Sequence, residues 1–169
     1  MSLSLKERFN YNFYLWLFGL TKVKMINFVS PRIVDIDNTK AVINMPLNIK
    51  TRNHVKSMYI GSMVVGVDLV VGFSAHLQTK KKNRKIVIIF KDLKADFIKR
   101  AEGDTLFSCN SLKQINDAVN KAIDKGERVN LPVPVTATVP SVFGDEPVAE
   151  FVITPVSYTH LTLPTKRIV

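Results

Sequence analysis

An α+β domain, with an antiparallel sheet wrapped around one long buried helix, a helix at the N-terminus and a further short helix, is the fold this sequence predicts. Three observations predict it. The segment from Ser57 to Gln78 carries apolar residues at every angular position of a helix, and a helix apolar all round must be enclosed. Strand-patterned stretches stand on both sides of it, giving the order helix, two strands, buried helix, two strands, short helix, two strands. The 169 residues, 46% of them hydrophobic, suit one domain with a continuous core.

Taken in order, Leu5, Phe9, Phe13, Trp16, Leu17 and Leu20 recur at helical spacing, which predicts one amphipathic helix over about residues 4–28, ending near Ser30-Pro31. Arg32 to Leu47 reads as a hairpin turning at Asp37-Asn38-Thr39, with Ala41, Ile43, Met45 and Leu47 on one face. The buried helix is close to a membrane span in length, but Asp68 sits at its middle and Gly61, Gly66 and Gly72 punctuate it. A charge inside a bilayer is costly, so enclosure by a sheet is favoured. Ile86 to Ile98 supplies a strand, apolar on both faces as far as Phe90 and alternating beyond it. Glu102-Gly103-Asp104 turns the chain into a short strand, Thr105 to Asn110. Ser111 with Gln114 is a capping-box pattern ahead of a helix that Gly126 ends. Pro132 and Pro134 mark Val129 to Val139 as an edge or bulged strand, and a turn around residues 143–147 leads into Val148 to Thr154.

The formal charge of +10 predicts attraction to polyanions without choosing among them. The basic clusters lack the interleaved aromatics of single-strand binders, so no nucleic-acid partner is expected. The aromatic N-terminal helix could lie on a membrane, a contact the sequence allows without favouring. The one cysteine, Cys109, sits in a strand-like stretch away from histidine, which argues against a zinc site or a Cys nucleophile and for a reducing, cytoplasmic setting. The apolar run Phe13–Leu20 is too short to span a bilayer, and the Lys22 and Lys24 that follow it argue against a secretory signal. Residues 156–165, VSYTHLTLPT, resemble the translation of a sequencing adapter. Residues 156–169 are therefore expected to be a non-native tail on a single domain of residues 1–155, and His160 is no candidate base. Without Lys166 and Arg167 the charge of +10 falls by two, to +8.

Two stretches carry more than architecture. ADFIKRAEGDTL, residues 95–106, resembles a thioesterase-type strand and turn in which an aromatic, an apolar and a basic residue precede an alanine and Gly-Asp starts the next strand. YIGSMVVGVD, residues 59–68, resembles a His-Gly-Gly helix start followed by an acid. With the final hairpin, VTATVPSVFGDEPVAEFVIT, the similarity covers residues 30–154. The chain thus resembles the hotdog-fold thioesterase superfamily, in an uncharacterised branch related to the phenylacetate-pathway thioesterases. Tyr59 stands where those enzymes have histidine and Ile60 where they have the first glycine; Gly61 and Asp68 are kept.

The resemblance implies hydrolysis of thioesters of coenzyme A or an acyl carrier, with Asp68 activating water or attacking the thioester and the Gly61 amide polarising its carbonyl. No cofactor or metal is implied; coenzyme A enters as part of the substrate. Independently, an ionised carboxylate within an apolar helix is expensive unless it is paired or serves a cleft, and free N–H groups at a helix start stabilise an oxyanion. The alternatives are an ion pair for Asp68 and close packing for Gly61. Asn53 and His54, just before the helix, could reach substrate or simply form a turn. Lys99 and Arg100 suit the phosphates of coenzyme A, whereas the run Lys80–Lys85 reads as a solvated loop. Tyr59, with Met58 and Met63, could line an acyl channel. His76, eight residues after Asp68, is about 12 Å along the axis and reads as a helix-end residue. The apolar girth of the helix and the outward Val87 and Ile89 exceed what one sheet encloses, so a homodimer or a dimer of dimers with its site between protomers is expected. A non-catalytic module that binds acyl-coenzyme A or lipid is the alternative, favoured by the missing histidine.

Overall fold

The computed structural model describes residues 3–81, 87–125 and 128–158. Its first helix, α1 (Leu5–Thr21), starts on a reciprocal cap: the Ser4 hydroxyl accepts from the Glu7 amide, and the Glu7 carboxylate accepts from the Ser4 amide at 2.9 Å. The single helix expected over residues 4–28 is two. At Val23 the backbone leaves the helical region, with φ of −135°, and α2 (Lys24–Val29) folds back onto α1. Gly19 permits the return, since a Cβ there would lie 2.3 Å from the Asn27 side-chain oxygen. Leu15, Ile26 and Val29 are thereby buried together.

Strands β1 (Arg32–Ile36) and β2 (Ala41–Met45) form the expected hairpin, its turn held by Asp37 accepting from the Thr39 and Lys40 amides at 2.7 and 2.9 Å. The long helix begins later than its apolar pattern, at Ile60. It runs as α3 (Ile60–Asp68), a π-helical stretch (Leu69–Phe73) and α4 (Ser74–Lys81). Residues 60–77 are apolar and long enough to cross a bilayer, yet more than half of that stretch is buried inside the protein. It is the core helix.

Around it lie β3 (Val87–Phe97), β4 (Thr105–Cys109), β5 (Val129–Asn130), β6 (Val133–Thr138) and β7 (Pro147–Tyr158). Among the described residues the antiparallel sheet has seven strands in the order β1-β2-β4-β6-β7-β3, with β5 paired to β7. This leaves β3 on an edge. Its register against β7 shifts between Phe90 and Leu93, a bulge that fits the change in pattern at Phe90. Helix α5 (Leu112–Lys125) packs Leu112, Ile115, Val119 and Ala122 inward. The turn before β7 opens with a further short helix, α6 (Pro140–Phe143), for which proline at a first helical position was the available signal.

Strand β7 runs past the boundary expected at residue 155. Val156 pairs with Ile89 and is fully buried, and Ser157 pairs with Ile88 and Val129. Residues 159–169, His160 among them, lie outside the described residues, as do Lys82–Lys85.

Candidate functional site

The structure places the singled-out residues at two locations, one at each end of α3. The first is a cleft of about 400 Å³ at the start of the helix, lined among others by Asn53, His54, Tyr59, Met63, Lys99 and Arg100. Its wall is the loop before α3, closed by hydrogen bonds from the Tyr59 amide to Thr51 O at 2.7 Å and from the Met58 amide to Ala101 O at 2.8 Å. Asn53 builds that loop: its side-chain oxygen accepts from the Val55 and Ser57 amides, both at 3.0 Å, so the turn-forming reading of Asn53 is the one its bonds support. His54 is exposed on the rim.

Helix α3 starts without a side-chain cap, so its first amides and the positive end of its dipole are available to an anion. The Tyr59 ring folds over Gly61, where a Cβ would lie 2.5 Å from the ring. Gly61 is thus required for this close approach, while its position also suits an amide donor. Both cations flanking the cleft are anchored. Lys99 pairs with Glu146 and lies over the Phe143 ring, 4.9 Å from its centroid. Arg100 donates to Ser57 Oγ at 3.0 Å and Val55 O at 2.6 Å and pairs with Glu102 at 3.1 Å. No described residue lining this cleft is an acid.

Asp68 is elsewhere, in a cavity of about 220 Å³ roofed by Phe18 of α1, Ile26 of α2 and Val23 between them, and walled by Ile88 and Phe90 of β3. Burial raises its carboxyl from 3.8 to about 6. Gly72, one turn on, leaves room for it, since a Cβ there would lie 3.0 Å from the carboxylate oxygen. The π-helical stretch begins at the next residue, and such bulges are frequent at functional sites. His76 shares the cavity and its ring nitrogen lies 2.9 Å from Tyr14 Oη, among Phe18 and Phe73. Sequence spacing treated His76 only as a helix end. The N-terminal helices that complete this cavity carry no sequence link to Asp68.

Asp68 lines a cavity that Gly61 does not; seven residue steps separate the two, about 10 Å along the axis. Among the described residues, no group of three or more His, Cys, Asp or Glu could hold a metal ion.

Comparison with solved structures shows that this fold is shared. A candidate thioesterase from Shewanella oneidensis matches with a TM-score of 0.71 at 14% identity, covering 91% of this chain and 99% of that one. A protein of unknown function from Chlorobaculum tepidum matches at 0.76 and 12% identity, over 90% and 97% of the two chains. A thioesterase from Haemophilus influenzae matches at 0.61 and 9% identity, over 96% and 95%. No curated protein sequence matches. The family model for a domain of unknown function, DUF4442, matches residues 18–154, and the chain belongs to that family.

Proposed function

We propose that this protein is a hotdog-fold hydrolase of acyl-coenzyme A-type thioesters, working as a homodimer whose sites each combine the cleft of one copy with Asp68 of the other. The observation that carries the reading is where the two half-sites sit on the edge strand. Ile88 and Phe90, at one end of β3, wall the Asp68 cavity, while Phe97 and the following Lys99 and Arg100, at the other end, line the cleft. Antiparallel pairing of two β3 edges about the strand's midpoint lays one end against the other. The same pairing covers a long free edge, with Ile89 and Phe97 exposed beside it.

In such a site the helix-start amides hold the thioester carbonyl oxygen as charge develops on it. Asp68 is either the base that takes a proton from the attacking water or the nucleophile itself. As base, Asp68 passes the water's proton to the departing thiolate as the carbon–sulfur bond breaks, leaving the carboxylic acid and the thiol. As nucleophile it expels the thiolate to form a mixed anhydride, which water then cleaves to free the acid, regenerate the carboxylate and supply the thiolate's proton. Lys99 and Arg100 meet the coenzyme's phosphates, and Tyr59 and Met63 meet the acyl chain. Fold similarity to thioesterases supports this reading by analogy.

A second reading, a module that holds an acyl-coenzyme A or lipid without cleaving it, is favoured by the Tyr59 ring lying over Gly61. Assaying a panel of acyl-coenzyme A esters of different chain lengths separates the two. Thiol release with at least one ester, well above the uncatalysed rate, is the expected result; saturable binding with no release from any ester contradicts hydrolysis.

A further inference from the structure

Helix α1 is apolar on two opposite faces. Tyr14, Leu15, Phe18 and Gly19 turn toward the body of the protein. At 100° per residue, Leu5, Phe9, Phe13, Trp16 and Leu20 fall within one narrow stripe on the far side. These five side chains are 52–77% exposed, and Phe13 and Trp16 stack on each other with centroids 5.9 Å apart. Helix α2 adds Met25 and Phe28, both 53% exposed. A soluble chain gains nothing by holding a row of large apolar residues in water, so the stripe has an occupant.

Charge selects among occupants. From Leu3 to Val34 the chain carries five cations, Lys6, Arg8, Lys22, Lys24 and Arg32, against one acid, Glu7. That acid is engaged in the Ser4 cap. Lys50 extends the basic margin, lying 5.6 Å from the Phe28 ring centroid. A second copy laid stripe to stripe would bring these cations against the same cations, whereas anionic headgroups meet them with opposite charge.

We infer that α1 and α2 form a membrane-docking surface, in which the Leu5–Leu20 stripe enters the interface of an anionic phospholipid bilayer and the surrounding lysines and arginines meet its headgroups. The inference stands apart from the catalytic reading. Because Phe18, Val23 and Ile26 of this same N-terminal segment roof the Asp68 cavity, docking lays the lipid surface on the outer side of that roof.

Trp16 is the chain's one tryptophan and lies on the stripe, so the unmodified protein reports its own docking. With vesicles of phosphatidylcholine and phosphatidylglycerol at low salt, Trp16 fluorescence shifts to the blue, iodide quenching falls and the protein sediments with the lipid. Phosphatidylcholine alone, or high salt, weakens all three signals. The double variant Phe9→Gln, Phe13→Gln keeps the reporter and alters only exposed positions; its binding is weaker by about tenfold or more, with thermal unfolding unchanged. An unshifted spectrum with anionic vesicles overturns the proposal. So does equal binding to neutral vesicles, or a Trp16 already shielded in protein alone and uncovered on dilution, which assigns the stripe to a second copy.

Discussion

Replacing Asp68 with Asn lowers thioester turnover by about 10²–10⁴-fold, the usual worth of a positioned acid–base group, and leaves the fold in place. The amide keeps the size of the carboxyl in a cavity already shaped around it by Gly72, and removes both the proton acceptor and the nucleophile. With Asp68 as the proposed base or nucleophile, activity needs its ionised form, so kcat/KM is expected to rise with pH through about 6, the value to which burial lifts this carboxyl. That limb is absent from whatever rate the variant retains. Stability moves oppositely. Below 3.8 the carboxyl is neutral in both folded and unfolded chains; between 3.8 and about 6 it ionises in the unfolded chain first, and the fold loses up to about 3 kcal/mol across that window. Asp68→Asn therefore matches wild type in unfolding experiments near pH 3.5 and exceeds it at pH 7–8. If Asp68 serves only as an ion-pair member, the variant unfolds more easily at pH 7 and turns over normally per folded molecule.

Replacing Phe107 with Ala costs about 3–5 kcal/mol of unfolding free energy. Phe107 on β4 is fully buried where the sheet meets the central helix, and its ring lies 6.3 Å from that of Phe151 on β7. On the helix side the fit is made by Gly66, where a Cβ would lie 2.4 Å from the Phe107 ring. Elements on every side fix the cavity left by the ring, so collapse recovers little of the loss. A drop below about 1 kcal/mol in denaturant unfolding contradicts this account of how helix and sheet are joined.

The central helix and its sheet were legible because their signals are local: period 2 in the strands and all-round hydrophobicity in residues 60–77. Other features depend on contacts distant in sequence. Nothing in the period of α1 marks the break at Val23, which follows from Asn27 returning to Gly19. Asp68 stood out as a charge in an apolar helix, but its cavity is made by Phe18, Val23, Ile26, Ile88 and Phe90, residues that read individually as core. Gly61 and Asp68 matched a family pattern in spacing, and spacing along a helix does not say whether two residues face one space. Asn53 was ambiguous between turn and site because turn formation depends on the Val55 and Ser57 amides approaching its side chain.

The claim that each site is shared between two copies is tested most directly by mixing two inactive variants. Arg100→Glu reverses the charge at the cleft and Asp68→Asn disables the carboxyl, each in its own chain. In a mixed dimer one site carries both defects and the other carries neither. Co-expressed in equal amounts, random pairing makes half the dimers mixed, each with one intact site, so activity returns to about a quarter of wild type by the symmetry of the two-fold. Recovery to that level is the predicted result; activity that stays at the sum of the two separate variants, with mixed dimers present, would contradict a site built across the β3 edges.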